Sequence, residues 1–330
     1  MTYSDLAIAF TKVPAAEQVR LEDRVSFAYI EYAVVYQDRI GVWAASAPAA
    51  SPVLAARGDT GPDLERIQVP VGSIAVVMLG PGTSVTQPAM ASMANSGATV
   101  VFTGGGGLPM YAAAVPLTSS ARWAQAQAML WADPAGTLVA ARLLYAKRFP
   151  DVPMGAGLSL ESLRGTEGRL VRSLYQHHGA QSGIRNFRRD SMADDQVNVG
   201  LNIGNQILYG CAASACATLA VNPALGVIHR GNVRALLFDL ADVYKSSVTI
   251  PAAFTSARDD DPVRGVRRRV RVHLHRERVL QKMVRLLTEM LTPHLADVPD
   301  GDVLLAENDD VVVQGHTNYA IAAPDDGEVG

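Results

Sequence analysis

The sequence predicts an α+β protein: a sandwich-like all-β domain over residues 21–115, then a larger all-α domain over 116–296. Three observations carry this reading. From Arg24 to about Tyr111 the chain runs in short segments rich in Val, Ile and aromatic residues, VSFAYIEYAVVY, IGVWAA, IQVPVGSIAVVML and TVVFTG, broken by Gly and Pro. Near residues 112–120 the apolar period changes, and from Ser120 onward it is helical. Finally, 330 residues of 48% hydrophobic composition are enough for two buried cores.

Residues 1–20 read as a variable leader, without the basic and apolar blocks of an export signal. Cys211 and Cys216 both fall in an apolar, helix-like segment and read as small core residues in a reducing compartment. Together these lead us to expect a cytoplasmic protein. Within the β region, the run ASAPAASPVLAARGDTGPD at 45–63 predicts a long exposed hairpin loop. Asn95, Ser96 and Gly97 mark the end of a short helix before a strand. Gly104–Gly107 predicts a strand turn rather than a phosphate loop, because no Gly-Lys-Ser/Thr follows and no helix opens there.

In the second half, SARWAQAQAMLWAD, TLVAARLLYAKRF and LESLRGTEGRLVRSLY each have helical spacing. From Gln196 through His229 there is no Asp, Glu, Lys or Arg, a length that raises a membrane span. Yet the stretch carries Asn198, Asn202, Asn205, Gln206, Ser214 and Pro223 and is richer in Ala than Leu, which predicts a helix buried all round in a core, with no membrane. An Asp-bearing helix and the basic run VRGVRRRVRVHLHRERVLQKMVRLLTEML complete the helical set, and no fixed-period repeat is present.

The stretch richest in chemistry is GVIHRGNVRALLFDLADVYK, 226–245. It offers the His229 imidazole, a Gly-Asn turn whose Asn232 can cap a helix, and carboxylates at Asp239 and Asp242. Three residues apart on a helix, the two acids share a face, about 5–6 Å apart at Cβ. At 100° per residue Ala241, Val243, Leu236, Leu240, Tyr244 and Leu237 fill one arc, while Asp239, Asp242 and Lys245 form an acidic outer face. Taken alone, that face is an ordinary solvated one with an Asp242–Lys245 pair.

Upstream, Leu160, Leu163, Leu170 and Leu174 follow the spacing of a buried helix stripe, and the intervening apolar position holds Glu167. A carboxylate there costs free energy unless something positive meets it. Arg164 or Arg172 at a helix edge is one such partner; a bound cation is another. Gly165 and Gly168, each costing about 0.8–1 kcal/mol in a helix interior, suggest that a ligand or another backbone comes close. Glu167, His229 and Asp242 then make an open site for a hard divalent cation with some nitrogen tolerance, Mg²⁺ or Mn²⁺, the imidazole tilting the choice toward Mn²⁺. Asp239 is placed to share the metal or orient a ligand, and Lys245 to steady a phosphate.

Charge distribution points to the partner. Overall there are 29 basic and 32 acidic residues, but 297–330 is a tail with nine acids and no Lys or Arg, which leaves 29 basic against 23 acidic elsewhere. Arg264–Arg285 alone holds nine Lys or Arg against Glu277. With Val266, Val270, Leu274 and Val279 buried, such a helix presents its other side to phosphates. A shorter cluster, Arg185, Arg188 and Arg189, surrounds Phe187. The tail, with its VVVQ at 311–314, is either disordered and solubilising or orders on a partner or on the chain's own basic face.

Several motifs occur in order: LEDRVSFAYIEY at 21–32, VPVGSIAVVMLGPGT at 69–83, TVVFTGGGGLPMY at 99–111, LRGTEG around Glu167, NxxLYG at 205–210, GVIHRG around His229 and FDLADVYK from Phe238. At these residues the chain resembles the CRISPR-associated integrase family, the larger subunit of the spacer-acquisition machinery, particularly its type I-E branch, from about residue 21 to 290. The resemblance implies that a DNA 3′-hydroxyl attacks a phosphodiester of a repeat array, the same site also running the reverse step and cleaving branched DNA. It implies metal ligation by Glu167, His229 and Asp242 with Asp239 accompanying, and double-stranded DNA (captured fragment and repeat) as substrate. It further implies a homodimer, two of which flank a dimer of the smaller Cas two subunit in a heterohexamer. Tyr32 falls where the family places the aromatic that braces the captured duplex; equally it reads as a strand tyrosine half in the core. Other DNA contacts are expected at Arg66, Arg185, Arg188, Arg189, Arg264, Arg267, Arg268 and Arg271, while Tyr209 packs near the site. Gly80 and Ser84 depart from the acid and base expected in a type I-E relative, so contacts of the β region differ there. A nuclease that does not join strands and a non-catalytic DNA-binding scaffold are the competing readings.

Overall fold

The computed structural model describes residues 24–46, 66–104, 109–114, 118, 120–153, 157–295, 303–305 and 311–313. Strands β1 (Val25–Ile30), β5 (Ile74–Leu79), β7 (Thr99–Thr103) and β8 (Pro109–Ala113) form one sheet in the order β1-β5-β7-β8, parallel except for β8. A second sheet has the order β4 (Arg66–Val69), β3 (Val42–Ser46), β2 (Ala33–Gln37), β6 (Ser84–Val85). The short helix α1, Gln87–Asn95, ends at Ser96 before Gly97, whose φ of +75° suits glycine.

All six side chains of β5 are buried, which explains why IAVVML is a continuous apolar run rather than an alternating one. Ile74, Val77 and Leu79 pack with Val35 and Val42 of the second sheet and with Ala89 and Met93 of α1, giving the sandwich. Ala75, Val76 and Met78 face the other way and join the helical core with Ile207, Leu208 and Cys211. The strand-rich and helical halves therefore share one core. β3 and β4 pair antiparallel, so the Ala- and Pro-rich run joins hairpin neighbours; residues 47–65 themselves lie outside the described residues, as do 105–108 of the glycine run between β7 and β8.

The helices are α2 (Arg122–Ala132), α3 (Pro134–Arg148), α4 (Leu160–Gln181), α5 (Gln196–Thr218), α6 (Ala235–Tyr244), α7 (Ile250–Ser256), α8 (Pro262–Arg276) and α9 (Val279–Leu291), with a π-helical turn at Lys245–Thr249 between α6 and α7. Asp133 caps α3 by accepting from Ala135 N and Gly136 N at 2.9 Å each, and Asp195 caps α5 in the same way. The uncharged α5 is buried on nearly every side, as its sequence predicts. Cys211 and Cys216 lie within it as free thiols, and burial pushes both up, Cys211 to about 12. Among the described residues no helix is long and apolar enough to cross a membrane.

The basic run is two helices, not one. Arg278 breaks it in the left-handed region, φ 49°, and the chain turns so that Val266, Val270 and Leu274 of α8 and Met283, Leu286, Leu287 and Met290 of α9 all reach the core. That burial offsets a conformation costing roughly 1–2 kcal/mol for a residue with a Cβ. Residues 303–305 and 311–313 pair as a small antiparallel ladder. The leader at 1–20 and the rest of the acidic tail lie outside the described residues.

Candidate active site

The site is built on α6, and its two acids do different jobs. Asp239 is 1% exposed, so the acidic outer face expected from the helical wheel does not exist. The wheel treats the helix as having one buried arc; here α3 and α5 pack on it from different sides, and the 226–230 turn covers Asp239. One oxygen of Asp239 accepts from Val227 N (2.5 Å) and Ile228 N (3.0 Å); the other accepts from His229 N (3.0 Å) and meets the imidazole Nδ1 at 2.7 Å. Four partners satisfy a buried carboxylate and fix the His229 ring, with Nε2 as the nitrogen left for other chemistry. That bond holds the His229 pKa above the ordinary imidazole value; burial opposes it, and Asp242 adds a smaller push in the same direction. Gly226 permits the turn, since a Cβ there would collide with the His229 carbonyl oxygen. Asn232 does not cap α6; its Oδ1 accepts from Arg234 N at 2.9 Å, making a turn just ahead of the helix.

One turn on, Asp242 faces an open groove of about 710 Å³. Glu167 of α4 faces it too, half-exposed in a stripe where Leu163 is buried and Leu160, Leu170 and Leu174 are partly so. The residue that meets Glu167 is neither Arg164 nor Arg172. Arg148, the last residue of α3, pairs with Glu167 Oε1 and reaches Asp242 Oδ2 at 3.4 Å with the same nitrogen, Nη1. Tyr145, one turn earlier, donates to Glu167 Oε2 at 2.9 Å; burial, reinforced by Glu167, raises its pKa. Arg164 instead donates to the Ile228 carbonyl, tying α4 to the His229 turn. Cβ atoms at Gly165 and Gly168 would meet nothing within 4 Å, so these glycines accommodate no neighbouring backbone; Gly168 borders open groove.

Lys245 Nζ lies 2.5 Å from Asp242 Oδ1 and donates to Tyr209 Oη at 2.8 Å. The Asp242 oxygen has charge contact but no well-aligned hydrogen bond. Burial alone would lower the Lys245 pKa, yet Asp242 and Tyr209 hold it above the usual value. Phe238 lies edge-on to both Tyr209 (5.0 Å between centroids) and His229 (5.7 Å), linking the imidazole to the groove.

Of the three expected metal ligands the structure brings two to a common point. Glu167 and Asp242 both contact Arg148 Nη1, which already stands as a positive charge between them. His229 is turned to Asp239, and among the described residues no three His, Cys, Asp or Glu side chains stand together as a cage. Two carboxylates around one cationic position fit a hard cation; the imidazole, anchored to Asp239 through Nδ1, feels the Asp242 charge without joining the pair.

The expected DNA-contacting arginines divide. Arg188 and Arg189 line the groove, with Arg188 exposed and Arg189 holding Asn198 (2.9 Å) and Asn202 (2.5 Å). Arg185, Arg264 and Arg268 are exposed, and Arg66, also exposed, stacks on Trp43. Arg267 is instead spent inside the protein, 3.1 Å from Glu31 and over the Tyr29 ring, whereas Arg271 is exposed with its guanidinium over Phe27. Arg269 pairs with Asp259, and Arg276 and Lys282 with Glu277, so α8 and α9 carry more internal ion pairs than the scarcity of nearby acids suggests. Tyr32 is no strand residue half in the core: it is 67% exposed at the crossing from β1 to β2, with φ 51° and its N donating to Pro81 O at 3.0 Å.

Comparison with known proteins gives a consistent answer. A family model described as CRISPR associated protein Cas1 matches residues 149–261. The CRISPR-associated endonuclease Cas1 2 of Thermus thermophilus is 35% identical over 284 residues, covering 83% of this chain and 81% of that one. The CRISPR-associated endonuclease Cas1 of Escherichia coli is 30% identical over 288 residues, 83% and 87% respectively. The solved structure of a TtCas1–DNA complex superposes with a TM-score of 0.73 at 32% identity, covering 88% of this chain and all of that one.

Proposed function

Because the chain belongs to the Cas1 family of CRISPR-associated endonucleases, we propose that it joins captured DNA fragments to a CRISPR repeat by transesterification, a strand's 3′-hydroxyl attacking a repeat phosphodiester. The observation that carries the reading is the convergence of Glu167 and Asp242 on one cationic position inside an open groove rimmed by Arg164, Arg172, Arg188 and Arg189. Two acids that close are held together only with a positive charge between them, and a groove rimmed by arginines draws a phosphate backbone into it.

Glu167, Asp242 and His229 are the residues to hold Mg²⁺ or Mn²⁺, which when bound stabilises charge developing on the phosphate oxygens. Arg148, whose guanidinium now supplies the positive charge between Glu167 and Asp242, is the group whose place such an ion would take. Asp239 is a positioning residue that keeps the imidazole oriented through Nδ1. Lys245, at the groove wall beside Tyr209, donates to a phosphate oxygen of the bound strand. Exposed Tyr32, Arg66, Arg185, Arg264 and Arg268 extend the DNA path beyond the groove. We further infer a homodimer working with the smaller Cas two subunit in a heterohexamer, in the cytoplasm, and a place in the type I-E branch on the strength of the motifs.

The test is a strand-joining assay with labelled 3′-OH duplex and a repeat-carrying plasmid in Mn²⁺, with and without the smaller subunit. A branched product that disappears in Glu167→Ala is expected. Cleavage without branched product indicates a nuclease that does not join, and unchanged products in Glu167→Ala overturn the assignment of the site.

A further inference from the structure

A second concavity, of about 530 Å³, lies between the end of α3, the end of α6 and the α8–α9 corner. Arg148 is the one residue common to its wall and that of the reacting groove. Its size is that of a small-molecule site. The floor is apolar, formed by Pro150, Val243, Val279 and Leu286 together with the flat ring of Tyr244. The rim is cationic: Lys147, Arg276, Lys282 and Arg285 stand there with Arg148 behind them, against only Glu277 and Glu289.

The pairing of these charges is incomplete. Lys147 meets Glu289 at 3.2 Å, and Arg276 and Lys282 share the single Glu277, at 2.9 and 3.6 Å. Arg285 is exposed, with no acid within ion-pair distance among the described residues. Arg148 is buried, and while its Nη1 holds the two carboxylates, its Nε has no hydrogen-bond partner. With Arg148 already committed to Glu167 and Asp242, the four rim cations Lys147, Arg276, Lys282 and Arg285 face two acids, and a surplus of two positive charges around an apolar floor suits a ligand that couples a flat ring to phosphate.

We propose that this concavity is a second, non-catalytic site that binds a phosphate-bearing nucleotide, ring on the Val243–Leu286 floor and phosphate toward Arg285 and Lys282. That chemistry has two sources, a free nucleotide and the terminal nucleotide of a DNA strand. The proposal does not rest on the integrase reading: Arg148, shared with the Glu167–Asp242 pair, lies outside the phosphate position, which falls on Arg285 and Lys282.

The experiment uses the full chain in EDTA, which removes metal-dependent binding in the reacting groove. Fluorescence anisotropy is followed for two probes, a fluorescent ATP analogue and a labelled ten-nucleotide single strand carrying a 5′-phosphate. We expect the ATP analogue to bind below about 1 mM, and Lys282→Glu/Arg285→Glu to weaken it at least about tenfold, while Arg188→Glu in the other groove leaves it unchanged. Binding of the strand alone, with the same sensitivity to the double variant, supports the site and assigns the phosphate to a DNA end. Failure of both probes to bind overturns the proposal, as does ATP-analogue binding that survives the double variant, or strand binding that survives it in an Arg188→Glu background that weakens the arginine-rimmed groove. If the double variant does not fold, Arg285→Ala, which breaks no ion pair, carries the same test with a several-fold loss expected.

Discussion

Asp239 and Asp242 stand one turn apart on α6 and teach opposite lessons. The Asp239 side is closed: a carboxylate without solvent, four hydrogen bonds to a turn and an imidazole, and no vacancy for a ligand. The Asp242 side is open: two carboxylates sharing one guanidinium nitrogen, a lysine at contact distance without good alignment, and a groove in front. Saturated polar groups fix a fold, whereas carboxylates crowded around a removable cation are arranged for exchange.

Replacing Asp239 by Ala should give the largest effect on stability. It strands three backbone N–H groups and an imidazole in a buried site, and urea unfolding should show a loss of about 3–5 kcal/mol. If Asp242→Asn proves equally destabilising, the two sides are not different in kind. Instead, Asp242→Asn should retain the fold and lose DNA cleavage and joining in Mn²⁺ by at least the roughly 10–100-fold that follows loss of a metal's outer partner. Tyr145→Phe deletes one hydrogen bond to Glu167 and should cost about 0.5–1.5 kcal/mol in the same urea experiment, with cleavage reduced less than in Asp242→Asn. The smallest effect is on pH. With its pKa raised mainly by the Asp239 hydrogen bond, His229 should titrate above the ordinary imidazole value in an NMR titration, and Asp239→Asn should bring the midpoint down. Its contribution to stability is complete below the unfolded imidazole pKa and fades as pH rises through the higher folded value.

Much of this was legible in the sequence, and what was not has a common cause. Glu167 announced itself by interrupting a leucine stripe, and the uncharged α5 by having neither charge nor enough leucine for lipid. Arg148 and Tyr145 gave no such signal: they end an ordinary helix, and only the packing of α3 against α4 and α6 brings them to Glu167. Asp239 misled because a helical wheel shows the faces of one helix and not what covers them. The break at Arg278 was hidden because no Gly or Pro marks it; burial of two stripes at once imposes the turn. Arg267 reads as a phosphate contact in sequence because its partner Glu31 lies 236 residues away. Local pattern reveals a residue that is wrong for its own element, not one recruited by another.

Immediately beyond Asp242 the helix widens into the π turn at Lys245–Thr249 before resuming as α7. Such a turn accommodates one residue more than regular winding allows. Excising a single residue there and letting the helix rewind would swing everything downstream by about 100°. Phe254 would leave its contacts with Phe187 and Tyr175, while Asp242 and Lys245, both ahead of the excised residue, would stay paired. The reacting groove and the aromatic packing of α7 are thus held in phase by a single supernumerary residue.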